Sequence, residues 1–238
     1  MKTLDLIKTL GYGVLNNTNY SKVNPENPDE ILPILTLIQE GLTRLYTRFL
    51  LREKHVIIEM QVGVTFYHLT KLYSVQNGDR IRVPYPYIMD LPNEPFQEDV
   101  LKILRVMDTQ NNVRPLNDDS RNDSLTTPQF DVLHNPYPRD LEALFVNYQA
   151  NHVPLVTYLD DGEYGIEEEI ILPPVLEPAL INYVAWMVFS RINTAEAAAK
   201  AASHLQVYEM VCKDVEAFDS VNNSKSSTNV RFDLNGWK

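Results

Sequence analysis

The chain has 238 residues, enough for one large domain or two small ones around a sizeable core. Its 44% hydrophobic and 22% charged residues exclude a wholly disordered or collagen-like polypeptide. With 21 Lys+Arg against 32 Asp+Glu, a formal net charge of −11, it is poorly suited to gripping nucleic acid by its phosphates. The imbalance is local: residues 1–56 carry 7 basic and 6 acidic side chains, 57–172 carry 8 and 19, and 173–238 carry 6 and 7. The central stretch is therefore expected to hold the acidity.

Taken in chain order, residues 3–16 read as a weakly amphipathic helix with Leu4, Ile7, Leu10 and Val14 at helical spacing. An Asn/Pro-rich connector, 16–28, follows. Asp29 is expected to cap a longer helix ending near Leu51, in which Ile31, Ile34, Leu35, Ile38, Leu42, Leu45 and Phe49 recur at steps of three or four. Pro33 falls in its opening turn.

The pattern then changes to short runs of strand character at 56–60, 64–69, 100–108, 131–134, 144–148 and 169–172, separated by turn signals at 76–79, 110–112 and 160–163. Such punctuation predicts an antiparallel sandwich or barrel rather than βαβ units. After Pro173-Pro174, residues 176–192 are apolar on nearly every face, which implies a helix enclosed by other elements. Thr194 can cap a second, Ala-rich helix from Ala195 to about Phe218, with Ala198, Ala201, Leu205, Tyr208, Cys212 and Val215 on one seam. Residues 219–229 are polar and linker-like, yet 230–238 contain Val230, Phe232, Leu234 and Trp237. An exposed tail has no use for these side chains unless they dock.

The expected fold class is thus α+β. N-terminal helices (1–53) and C-terminal helices (173–218) form a helical bundle. An acidic, sandwich-like antiparallel β domain (54–172) is inserted between them, and an extended tail (219–238) follows.

Signatures of chemistry are sparse. Eight glycines assemble no G-x-G-x-x-G or Walker loop, the five histidines include no i,i+4 pair, and G-x-S-x-G is absent. Cys212, the single cysteine, sits in the Ala-rich helical pattern and reads as a buried small hydrophobe rather than a reactive thiol. Asp160, Asp161 and Glu163 could ligate Ca²⁺ but fit a hairpin turn more simply. Glu167, Glu168 and Glu169 read as a solvated strand edge. The expectation is a non-enzymatic protein with no cofactor and no metal. The N-terminus lacks the pattern of a secretory signal, and no apolar run approaches the ~18 residues that span a bilayer. Tyr85 and Tyr87, among prolines, form either an aromatic contact surface or a stiffened loop packed on its own domain.

Residues 172–186 (LPPVLEPALINYVAW) followed by 195–205 (AEAAAKAASHL) resemble the closing helices of head-to-tail connector adaptors of tailed bacteriophages, and 29–51 is similar to their long N-terminal helix. The β-rich middle is similar to the larger adaptors of short-tailed phages. The resemblance implies a structural virion protein at the neck, in a ring of about twelve copies beneath the portal protein. Such a ring would extend the channel through which genomic DNA passes without sequence-specific binding, and would attach tail nozzle or fibre proteins. It also implies a portal-docking tail, here Val230, Arg231, Phe232, Leu234 and Trp237, and inter-subunit helix packing through Ala198, Ala201, Leu205 and Tyr208. The rival reading is a carbohydrate- or receptor-binding β domain on a helical stalk. A metal-assisted hydrolase using the central acids is a third.

Overall fold

A computed structural model describes residues 1–24, 27–139, 141–155 and 169–218. The fold is α+β. The chain divides into two compact units, a helical one from Met1–Leu51 together with the residues from His152 onward, and a β unit, Arg52–Asn151.

In the helical unit, α1 (Thr3–Tyr12) buries Leu6, Ile7 and Leu10, leaving Leu4 half-exposed. The helix is shorter than its sequence pattern, and Gly13 and the turns after it close it off. α2 (Pro28–Arg48) starts two residues earlier than a cap at Asp29 would give: Asn27 lies just outside it, its carbonyl accepting from Glu30 N and Ile31 N, so that Asp29 falls inside the helix. Pro28, lacking an N–H that would in any case be unpaired, suits the first helical position. The whole predicted stripe of α2 is buried, joined by Leu37, Gly41 and Tyr46.

A 3-10 turn, Pro174–Leu176, leads into α3 (Glu177–Ser190), where only Pro178 and Ser190 are exposed, as the all-round apolar sequence demands. α4 (Ala195–Phe218) is capped by Thr194, whose Oγ1 accepts from Ala197 N at 3.2 Å. Gly41 sets the spacing of α2 and α3: a Cβ built there would lie 2.7 Å from Leu180 Cδ1 and 2.9 Å from Tyr183 Cδ1. A side chain at 41 must push the two helices apart, so Gly41→Val is expected to destabilise the helical unit by about 1–3 kcal/mol, measured by denaturant unfolding followed through helical circular dichroism.

The β unit contains two antiparallel sheets. The larger is built from β1 (Glu53–Glu59), β3 (Ile88–Met89), β4 (Val100–Met107), β5 (Val113–Arg114) and β8 (Ala143–Ala150) in the order β3-β1-β8-β4-β5. The smaller has the order β2-β7-β6, from β2 (Phe66–His68), β6 (Thr126–Gln129) and β7 (Val132–His134). They share one core, including Val56, Ile58, Tyr67, Tyr87, Phe96, Val106, Leu133, Leu144, Val146 and Tyr148. The turn read at 110–112 joins β4 to β5: Asp108 Oδ1 accepts from Gln110 N and Asn112 N, and Asn111 takes a left-handed conformation.

Two expectations need correction. The β unit ends at Asn151 instead of 172, because the returning chain is held by helices: Leu155 N donates to Gln39 Oε1, and Ile171 N to His152 Nε2, whose ring meets Tyr46 edge-on. The run read as a strand at 169–172 makes only a bridge between Glu169 and Lys2, with Ile170 N donating to the Met1 carbonyl. The second correction concerns charge. The β unit has 10 Lys+Arg and 14 Asp+Glu, so it does not carry the whole excess. Six acids at 160, 161, 163, 167, 168 and 169 lie beyond it, all but Glu169 outside the described residues.

Candidate functional site

The residues expected to mediate contacts between subunits lie on α4, and their placement follows from its packing on α3. The inward seam of α4 is Ala197, Ala201, Tyr208, Cys212 and Val215, all buried. Its N-terminal part is lined by the small side chains Ala197 and Ala201, and Tyr208 lies further along. Tyr208 meets the Tyr183 ring at 5.6 Å, and Tyr183 in turn stands edge-on to Trp186 at 5.4 Å. Over these rings lies Arg44 of α2, its guanidinium carbon 5.7–5.8 Å from the centroids of Tyr183, Trp186 and Tyr208. A cation held over several aromatic faces ties three helices together at the surface.

One turn further, Arg48 forms a two-carboxylate clamp, with Nε 2.7 Å from Glu216 Oε1 and Nη1 2.9 Å from Glu209 Oε2. The Glu216 hydrogen bond, more than any other contact, raises the guanidinium pKa against the opposing effect of burial, and the same bond holds the Glu216 carboxyl below its usual range. Burial pushes the Cys212 thiol up, leaving a protonated side chain in a packed seam and no activated nucleophile. His204, stacked flat on Phe189 with its Nδ1 2.9 Å from Asn182 Oδ1, is shifted down by burial.

The four α4 residues therefore divide. Ala201 and Tyr208 are buried inside the single chain. Leu205 is half-exposed and Ala198 is exposed. Helical spacing finds the seam but cannot say which partner it faces, and here the partner is α3. The outer face of α4 exposes small side chains at Ala198, Ala199, Ala202 and Ser203, followed by Gln206, Met210 and Lys213, with Glu196 and Lys200 exposed near its start.

The predicted tail residues Val230, Arg231, Phe232, Leu234 and Trp237, and the acids Asp160, Asp161 and Glu163, lie outside the described residues. In the β unit the tyrosine pair separates. Tyr87 is a core residue, its hydroxyl accepting from His68 N and donating to His68 O, while Tyr85 is exposed. Two tyrosines one residue apart thus do not form one platform. The sequence reading missed a buried polar centre in which Asp99 accepts from Lys54 Nζ at 2.7 Å and from the Tyr148 hydroxyl at 3.0 Å. Its members are distant in sequence, and only the pairing of β1 with β8 brings Lys54 opposite Tyr148. Burial, then the Asp99 charge, raises the Tyr148 phenol pKa far above its usual value. Among the described residues no group of three or more His, Cys, Asp or Glu is placed to hold a metal ion, and no helix is long and apolar enough to cross a membrane. Compared with models of known protein families and with curated protein sequences, the chain matches none.

Proposed function

We propose that the chain is a head-to-tail adaptor of a short-tailed bacteriophage, a structural protein of the virion neck. In this reading it forms a closed ring of about twelve copies beneath the portal, extends the DNA channel and attaches tail nozzle or fibre proteins. It works by assembly, without catalysis or cofactor, and DNA crosses the lumen without sequence-specific contacts. The observation that supports this best is the construction of the helical unit. Both ends of the chain contribute to it, the β unit is inserted between them, and the first half of the Ala-rich last helix exposes the small side chains of Ala198, Ala199, Ala202 and Ser203. A ring of identical subunits requires such a surface for close contact with a neighbour. The rival glycan- or receptor-binding reading is weakened because Tyr87 is buried.

The test is to add the purified chain to portal rings of the phage that carries it and to image the product by electron microscopy. Stoichiometric addition of a second ring is expected. Deleting 230–238 should abolish that addition while leaving the free subunit folded, as measured by circular dichroism. Attachment that survives the deletion refutes the anchoring role of the tail, and failure of the full chain to add refutes the adaptor reading.

A further inference from the structure

The larger sheet of the β unit turns Val56, Ile58, Ile88, Val106, Leu144 and Val146 into the core that it shares with the smaller sheet. Side chains alternate along a strand, so the residues between these occupy its other face. Where one face of an antiparallel sheet meets water, that face is expected to be polar. Most of the outward positions obey: Glu53, His55 and Glu59 on β1, Asn147 and Gln149 on β8, Lys102 and Arg105 on β4. The apolar exceptions fall in a single row. Met89 pairs with Ile57, Ile57 with Phe145, Phe145 with Met107, and Met107 with Val113, so five apolar side chains stand side by side across all five strands. Four of them are half-buried, and Val113 at the end is 64% exposed. Four strand spacings make the row ~19 Å long.

We infer that this row is a self-association surface, on which a second copy of the chain lays the same face, sheet on sheet. The charges beside the row select that occupant. On β1, Glu59 lies two residues to one side of Ile57 and His55 two residues to the other, each ~7 Å along the strand. A two-fold axis running along the row sets every apolar side chain on its own counterpart, an isologous contact. It also lays Glu59 of each copy over His55 of the other, whose imidazole N–H can donate to the carboxylate. On β8 the same axis lays Ala143, level with Glu59, over Asn147, level with His55. An axis along the strands would instead set Glu59 over the Asp108 end of β4, and His55 over Arg105, which is level with it across Asn147. That arrangement opposes like charges, so the first one is selected. The row and its flanks are smaller than the ~800 Å² per partner of a standard interface, which sets a weak dissociation constant, on the order of 10–100 µM. The inference does not rest on the adaptor reading: an isologous contact joins two copies and does not by itself close a ring, so the pair belongs to the free chain.

The experiment is sedimentation equilibrium of the full-length chain, without portal, from about 1 µM to about 1 mM, a range that brackets the expected constant. A monomer–dimer equilibrium is expected. Val113→Glu puts a charge on the most exposed member of the row and should raise the dissociation constant at least about tenfold. Cross-strand apolar pairs also stabilise a sheet by themselves, so the urea midpoint of each variant is measured alongside and should not move. The charge swap tests the geometry. Glu59→Lys and His55→Glu should each weaken pairing about fivefold, and the double variant should recover it, because the two positions face each other only across the two-fold contact. A chain that stays monomeric throughout overturns the inference, as does association that Val113→Glu leaves unchanged. Single reversals without effect, or a double variant that does not recover, overturn the two-fold arrangement.

Discussion

Replacing Tyr208 by alanine is expected to destabilise the helical unit by about 3–5 kcal/mol, the cost of deleting a fully buried aromatic side chain. The ring meets Tyr183 and lies beneath Arg44, so its loss leaves a cavity at the junction of α2, α3 and α4. Denaturant unfolding read through Trp186, which stands in the same cluster, measures the effect. Tyr208→Phe keeps the ring and should cost about 1 kcal/mol or less. Exposed Ala198 provides the contrast. Ala198→Arg should leave subunit stability within about 0.5 kcal/mol, and in the proposed ring it should act on assembly alone. A subunit-contact role for Tyr208 would give the opposite result, normal stability with lost assembly. Its phenol also sets an alkaline limit. Burial, followed by the neighbouring Cys212, pushes its pKa from 10.0 up to about 12. The unfolded chain releases this proton first, so stability from this group is complete below pH 10.0 and declines as pH rises toward 12.

The largest effect expected in the β unit is at Asp99. Its side chain is 8% exposed and holds both the Lys54 ammonium, itself 18% exposed, and the Tyr148 hydroxyl. Asp99→Ala strands a lysine charge and a phenol with little access to water, at an expected cost of about 3–5 kcal/mol. Removing both charges in the pair Lys54→Met and Asp99→Leu should recover most of that loss, because two shape-filling apolar side chains incur no desolvation penalty. The coupling between the two sites, read from a double-mutant cycle with exchange of the β8 amides as the probe, should therefore reach about 2 kcal/mol or more. Additive effects would mean that Lys54 and Asp99 do not form a pair in solution.

Placing the charge within the fold alters its meaning for the proposed function. The stretch 57–172, with a net charge of −11, pointed to an acidic β domain, but much of the excess belongs to the ten residues 160–169, outside the β unit. The β unit itself mixes both signs, and several of its charges are engaged: Arg114 with Glu142, Arg105 with Glu53, Lys54 with Asp99. A tail-facing role for this unit therefore rests on its position in the chain, without support from a concentrated charge.

Some features needed no tertiary information because their causes are local. The stripe from Ile31 to Phe49 buries as its spacing requires. Thr194 caps α4 because a threonine immediately before a helix satisfies an open backbone N–H. The turn at 110–112 forms because Asp108 and Asn111 have the hydrogen-bonding reach and conformational tolerance for it. Strands β3, β5 and β6 escaped notice because two to four residues, one of them Pro128, carry no readable period. The sequence by itself determined the α+β class, the enclosed character of α3 and the bounds of α4, all of which follow from hydrophobic periodicity and caps. Only the tertiary structure decided that Tyr208 and Ala201 are buried in the chain's own core, that Tyr85 and Tyr87 part company, and that the β unit closes at Asn151. Each of these depends on which element comes to lie against which, and periodicity records that a face is buried without naming what buries it.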